Sequence, residues 1–202
     1  MIIYMMRHGE TDWNVQHLFQ GRTDIPLNEN GRKVAEWTRD GLKDVHFDVA
    51  FCSPLCRAKE TAQIILEGRD VELIEDERII EMGFGGYEAT SMQNIDEDIE
   101  IFFKQPEAYI DKKGIEPFEE VLARGKNFLD ELTSNPKYQD STILVATHGA
   151  MLRGLIGAFR GYSVKDFWKG GIHKNCGMTI VEVNGEEKKI LQEAIVLYDK
   201  KC

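Results

Sequence analysis

Apolar and polar positions along the chain repeat with two different periods, and the switches between them predict its elements. Ile2-Ile3-Tyr4-Met5-Met6 is a short apolar run that stops at polar residues, as a strand covered on both faces does. Over residues 28–44 the period lengthens. Val34, Ala35, Thr38 and Leu42 fall on one stripe, with Lys33, Glu36, Arg39, Asp40 and Lys43 elsewhere, which predicts an amphipathic helix. Residues 48–52 predict a second strand. Ser53-Pro54 then fits a helix start, with Ser as cap and Pro in the first turn, and Ala58, Ala62, Ile65 and Leu66 continue that helix. Residues 71–74 predict a third, shorter strand.

The same alternation returns late in the chain. Residues 119–135 predict a helix with Leu122, Gly125, Phe128, Leu129 and Leu132 inward. Thr142-Ile143-Leu144-Val145-Ala146-Thr147 is the clearest buried strand, and a helix follows over 150–159. Residues 178–183 and 190–197, joined through Asn184-Gly185, predict an antiparallel hairpin. The stretch 88–117 breaks the pattern, with the acidic run Asp96-Glu97-Asp98, the aromatics Phe102, Phe103 and Tyr109, and Pro106. The expected organisation is a single domain over 1–202 with a lid-like insertion of short helices and loop at about 88–117. Strands separated by helices imply the α/β class: a mostly parallel central sheet with helices on both faces, a three-layer sandwich. In such sheets ligands sit at the carboxyl ends of the strands.

Composition narrows the function. The chain has 202 residues, 42% hydrophobic and 30% charged, with a formal charge of −10. The acidic balance argues against nucleic acid and against anionic lipid as partners, because both require a basic face. No apolar run approaches the ~20 residues that span a bilayer, and the first residues lack the pattern of a secretory leader, so a cytoplasmic location is expected. Cys52, Cys56, Cys176 and Cys202 form no CxxC and no Cys/His metal spacing, and are expected to be reduced thiols near the core. No phosphate-binding GxxxxGK[ST] loop, HExxH or EF-hand pattern occurs, so neither metal nor cofactor is expected.

Three predicted strand ends carry candidate chemistry. The first ends in Arg7-His8-Gly9-Glu10-Thr11. The second ends in Ser53-Pro54, with Arg57 one turn further on. The late buried strand ends in His148-Gly149-Ala150. Two His and two Arg thus reach one edge of one sheet. Arg stays cationic and its planar fork matches phosphate oxygens, so two of them can hold a phosphoryl dianion. Neutral imidazole is a good nucleophile near pH 7, so one His can attack phosphorus while the other, protonated or as an N–H donor, binds an oxygen. A leaving alkoxide needs a proton, and Glu81 in Glu81-Met82-Gly83-Phe84-Gly85-Gly86-Tyr87-Glu88 is the candidate, in surroundings expected to be apolar. Arg22, Lys104, Lys112 and Lys113 could meet a second anionic group, but a solvated surface role is expected for each.

These segments resemble the histidine phosphatase superfamily, in the branch containing cofactor-dependent phosphoglycerate mutases and their phosphatase relatives. Arg7-His8-Gly9-Glu10-Thr11 with Trp13-Asn14 is similar to the family's opening motif. The stretch from Gln20 to Gly31, the one from Ser53 to Thr61-Ala62, the one from Glu81 to Glu88 and Thr147-His148-Gly149 resemble its later ones, in the same order. Two stretches depart from the usual pattern: Tyr87-Glu88-Ala89-Thr90, and Gly114-Ile115-Glu116-Pro117 ahead of the long helix.

The resemblance implies a phosphoglycerate mutase-like fold and a phosphohistidine intermediate. His8 would be the nucleophile, Arg7, Arg57 and His148 the clamp on the phosphoryl oxygens, and Glu81 the proton donor. Asn14, Gln20 and Gly21 would line the substrate site. The expected activity is that of a metal-independent phosphomonoester phosphatase on a small phosphorylated metabolite, from a monomer or homodimer. The alternatives are a cofactor-dependent phosphoglycerate mutase, for which the chain is short, and a non-catalytic module that only binds a phospho-ligand.

Overall fold

The computed structural model describes residues 1–93 and 96–198, so Cys202 lies outside the described residues. Six strands form one sheet: β1 (Ile2–Arg7), β2 (Val49–Cys52), β3 (Glu72–Glu75), β4 (Thr142–Thr147), β5 (Met178–Asn184) and β6 (Glu187–Ile195). Their order is β3-β2-β4-β1-β5-β6. The four strands from β3 to β1 run parallel, and β5 and β6 add an antiparallel edge. The α/β class and the mostly parallel sheet follow from the alternation of short apolar runs with amphipathic helices.

The central strands alternate strictly between two cores, as a pleat requires. Ile3, Met5, Ile143 and Val145 face one side, with the helices α5 (Phe118–Ser134) and α6 (Gly149–Arg160). Met6 and Leu144 face the other, where they join Val34, Ala35 and Leu42 from α2 (Glu29–Gly41) and its end, and Ile65 and Leu66 from α3 (Cys56–Leu66). Asn28 caps α2 by accepting from the Gly31 N–H at 2.7 Å. The short helix α1 (Asp12–Val15) is closed by a capping box between Thr11 and Asn14.

Two local expectations are corrected. Helix α3 begins at Cys56, and Ser53 does not cap it. Ser53 still belongs to the strand ladder, its N–H donating to Ala146 O at 3.0 Å, and its hydroxyl faces His148. The exposed N–H of Cys56 is instead satisfied by Asp24 Oδ1 at 2.8 Å. In the hairpin the turn is Gly185-Glu186, with Asn184 paired to Glu187, so β6 starts three residues earlier than the apolar pattern suggests. Gly185 takes the left-handed φ of +60° that this turn needs. Strand β6 has one strand neighbour and carries charged residues on exposed positions, so hydrophobicity hides its beginning.

Within 88–117, α4 (Glu97–Lys104) is capped by Asp96 and buries Ile99 and Phe102. The Phe102 ring stacks on Phe118 at 4.7 Å, and Trp168 Nε1 donates to Phe102 O at 2.9 Å. Among the described residues no helix is long and apolar enough to cross a membrane.

Candidate active site

Register brings the chemistry together. Arg7 pairs with Thr147 across β1 and β4, so His8 and His148 each stand one step past the same rung. Their ring centroids are 5.2 Å apart. Cys52 pairs with Ala146, which sets Ser53 beside them at the end of β2. All three strands run the same way, so one sheet edge receives residues that are about 140 positions apart in the chain.

His8 is buried, and its Nδ1 lies 2.6 Å from Gly9 O. A carbonyl can only accept, so Nδ1 carries the proton and the Nε2 lone pair is left toward the cavity. Burial holds the His8 imidazolium well below the usual histidine range, and the guanidinium groups of Arg57 and Arg7 push the same way. His148 is lowered by burial, by Arg57 and by His8, so both rings are neutral near pH 7. Of the two expected forms of the second imidazole, the neutral N–H donor is the one found. His148 Nε2 lies 2.7 Å from Ser53 Oγ. In the tautomer where Ser53 donates to Nε2, the His148 Nδ1–H is a donor held in reserve.

Both guanidinium groups are oriented by backbone carbonyls. Arg7 donates to His173 O at 2.6 Å, and Arg57 to Thr23 O at 2.8 Å and Gly21 O at 2.7 Å. Among the described residues, Arg7 Nε, Arg57 Nε and His148 Nδ1 are buried with no hydrogen-bond partner. Unsatisfied buried guanidinium donors are costly unless an anion receives them. Arg7, Arg57, His8, Asn14, Gln20, Gly21 and Glu81 line a small cavity of about 50 Å³, and His148 stands behind His8 outside that lining. Asn14 turns its Oδ1 to Thr11 and Asn175, leaving its Nδ2 for the cavity.

Glu81 is buried, but its surroundings are not the apolar ones expected. Its carboxylate accepts from Met82 N and Met151 N, both at 2.9 Å, and from Ala150 N at 3.2 Å. It therefore sits at the positive end of α6, fixed by backbone donors. The outer wall of the cavity is apolar: Leu18, Phe19, Phe84, Met92, Phe103, Trp168 and Ile172. The four cations considered for a second anionic group are in ion pairs: Arg22 with Glu116, Lys104 with Glu100, Lys112 with Asp98 and Lys113 with Asp96.

Of three supporting residues, Thr61 and Glu88 lie in stretches that resemble the family's motifs, whereas Asn175 had no readable signal in the sequence. Asn175 Nδ2 donates to His8 O and Gly9 O. Thr61 Oγ1 accepts from Gly9 N at 2.9 Å and donates to Arg57 O at 2.6 Å. Glu88 receives the loop at 22–23. Each also makes contacts with a segment distant in sequence, which local pattern does not encode. Cys56 is only half-buried, and burial together with Asp24 pushes its thiol up to about 11, so it is not poised to react near pH 7.

Several known proteins resemble the chain over most of its length. Phosphoserine phosphatase 1 of Hydrogenobacter thermophilus is 28% identical over 194 residues, covering 94% of this chain and 90% of its own. The uncharacterized phosphatase PhoE of Bacillus subtilis is 33% identical over 161 residues, covering 79% and 77%. The solved structure of Bacillus stearothermophilus YhfR superposes with a TM-score of 0.88 at 30% identity, covering 96% of this chain and 97% of that one. The profile of the histidine phosphatase superfamily, branch 1, matches residues 3–195, and the chain belongs to that superfamily.

Proposed function

We propose that the chain hydrolyses small phosphomonoesters through a phosphohistidine on His8 Nε2. The observation that carries this reading is the proton position on His8. With Nδ1–H held by Gly9 O, the lone pair of Nε2 is left toward a cavity lined by Arg7 and Arg57, each with an unsatisfied Nε donor, and the His148 ring stands 5.2 Å from the His8 ring. Those donors bind the phosphoryl oxygens and stabilise charge as it spreads over them in the transition state. The Nε2–P bond forms as the P–O bond to the leaving group breaks, and Glu81 gives that oxygen a proton. Water then attacks phosphorus, Glu81 takes its proton, the N–P bond breaks, and inorganic phosphate leaves. Asn14 and Gln20 add hydrogen bonds to the bound group, and Gly21 shapes the loop beside it.

Residues 88–117 act as a lid within a single domain, because α4 lays Phe103 over the cavity mouth. Hydrolysis requires water at the phosphohistidine, whereas a mutase must exclude it, and phosphoserine remains within reach as a substrate on the strength of the relatives. The chain works in the cytoplasm as a monomer or homodimer, a reading supported by its acidic charge and by Cys52, Cys56 and Cys176 being free.

The test is hydrolysis of p-nitrophenyl phosphate with EDTA present. We expect turnover, a loss of at least about a thousandfold in His8→Ala, and a gain of one PO₃H unit in intact mass on a slowed Glu81→Gln variant. Wild-type activity in His8→Ala would overturn the mechanism. Rapid conversion of 3-phosphoglycerate to 2-phosphoglycerate in the presence of 2,3-bisphosphoglycerate would make the chain a mutase.

A further inference from the structure

Glu88 stands outside the cavity, yet its carboxylate is saturated by two segments that line it. Oε1 accepts from Arg22 N at 3.1 Å and from Phe84 N at 3.2 Å. Oε2 accepts from Thr23 N at 3.1 Å and Thr23 Oγ1 at 2.6 Å. The segment 21–23 so held is the one whose Gly21 and Thr23 carbonyls receive the two terminal nitrogens of Arg57. Phe84 follows Glu81 by three residues. One carboxylate therefore fixes the loop that aims Arg57 and ties it to the segment that carries Glu81.

Local geometry shows how close this fit is. Gly21 has φ +52°, and a Cβ placed there would stand 2.0 Å from Glu88 Oε1. The main chain at Gly21 reaches the carboxylate only because no side chain intervenes. Glu88 is itself held from behind: its N–H donates to Gly85 O, and the next residue, Ala89, donates to Phe19 O at 2.9 Å. With both terminal nitrogens engaged by loop carbonyls, Arg57 has its Nε as the buried, unpartnered donor. Its direction then depends on where the loop lies, and a misplacement of about 1 Å at such a donor can cost ~100-fold in rate.

We propose that Glu88 is a positioning residue that sets the Arg57 guanidinium by clamping loop 21–23 to the Glu81–Phe84 segment. The proposal rests on the reading of Arg57 as a phosphoryl clamp. All four partners of Glu88 are donors, so an amide cannot replace the carboxylate: the NH₂ of Gln would confront Thr23 N–H or Phe84 N–H.

The experiment is a double-mutant cycle on Glu88 and Arg57, read as kcat/KM for p-nitrophenyl phosphate and as inhibition by orthovanadate. Glu88→Ala and Glu88→Gln are expected to lose about 10- to 100-fold in kcat/KM and to bind vanadate more weakly. In an Arg57→Ala background, Glu88→Ala is expected to cost less than about twofold more, because the group it aims is gone. Thr23→Val, which keeps the backbone and removes one donor, gives a smaller loss of the same kind and serves if Glu88→Ala does not fold. Wild-type kcat/KM in Glu88→Gln, or a full multiplicative loss in the Arg57→Ala background, would overturn the proposal. Activity surviving in His8→Ala would instead remove the reading beneath it, and an unchanged rate in Arg57→Ala alone would remove the clamp.

Discussion

The imidazole of His8 and the carbonyl of Gly9 are adjacent in the chain and 2.6 Å apart in space, and that contact decides which nitrogen can attack. Nδ1 is spent on the backbone, so Nε2 is the only nitrogen with a lone pair to offer. Burial, and after it the cations around the ring, keep it unprotonated. As pH falls, the nucleophile is lost only when the ring takes up a proton, and its affinity for that proton is held well below the usual value of 6.5. The expected kcat/KM profile stays flat from pH 7 down through 6.5 before its acid limb begins. An acid limb centred on or above 6.5 in the free enzyme would contradict the neutral ring.

Glu81 is tested by the leaving group. A nitrophenolate departs with little help from a proton, whereas an alkoxide needs one. Glu81→Gln is expected to slow alkyl phosphates by about 10²- to 10⁴-fold and p-nitrophenyl phosphate by much less. Equal slowing of both classes, measured as kcat/KM, would remove Glu81 from proton transfer.

His173 gives a stability prediction with a defined window. It is buried, bonded through Nε2 to Thr179 Oγ1, and burial with Arg153 and Arg7 nearby lowers it to about 4. The unfolded chain titrates near 6.5, so below that pH it binds a proton that the folded chain refuses. Stability from this group is complete above 6.5 and falls as pH drops toward 4. The melting temperature of wild type should decline across that interval more steeply than that of His173→Asn. Parallel declines would show that His173 is not buried neutral.

Phe102 anchors α4. It is fully buried and its ring meets Phe84, Phe103, Tyr109, Phe118 and Trp168. Phe102→Ala is expected to cost ~3–5 kcal/mol in denaturant unfolding. Because Phe103 and Trp168 line the cavity mouth, KM should also rise in the folded fraction. A loss under about 1 kcal/mol would mean that α4 is not packed as described.

Burial of the thiols predicts slow alkylation. Cys56 and Cys52 are raised to about 11 and Cys176 to about 12. At pH 7.5 iodoacetamide should modify the folded protein at these three positions far more slowly than the denatured chain. Fast labelling of Cys56 in the folded state would refute its placement against Asp24.

The sequence by itself determined the parts that short-range periodicity writes. Val34, Ala35, Thr38 and Leu42 were readable as one helical face, and residues 142–147 as a strand covered on both sides, because burial repeats every 3.6 residues on a helix face and runs unbroken along a strand with a core on each side. Arg7, His8, Arg57 and His148 were readable as neighbours, because parallel strands deliver their carboxyl ends to a common edge. Only the tertiary structure decided what holds those groups. Ser53 reads locally as a helix cap, and the register of β2 against β4 turns it to His148. Glu81 reads as a carboxyl among apolar residues, and the start of α6, some seventy positions away, supplies its hydrogen bonds. Asn175 carries no local signal, and Glu88 is marked only by the motif-like stretch it closes, since the groups they hold lie mostly more than 60 positions away. A hydrogen bond between distant segments depends on how the whole chain packs, and no run of neighbouring residues records it.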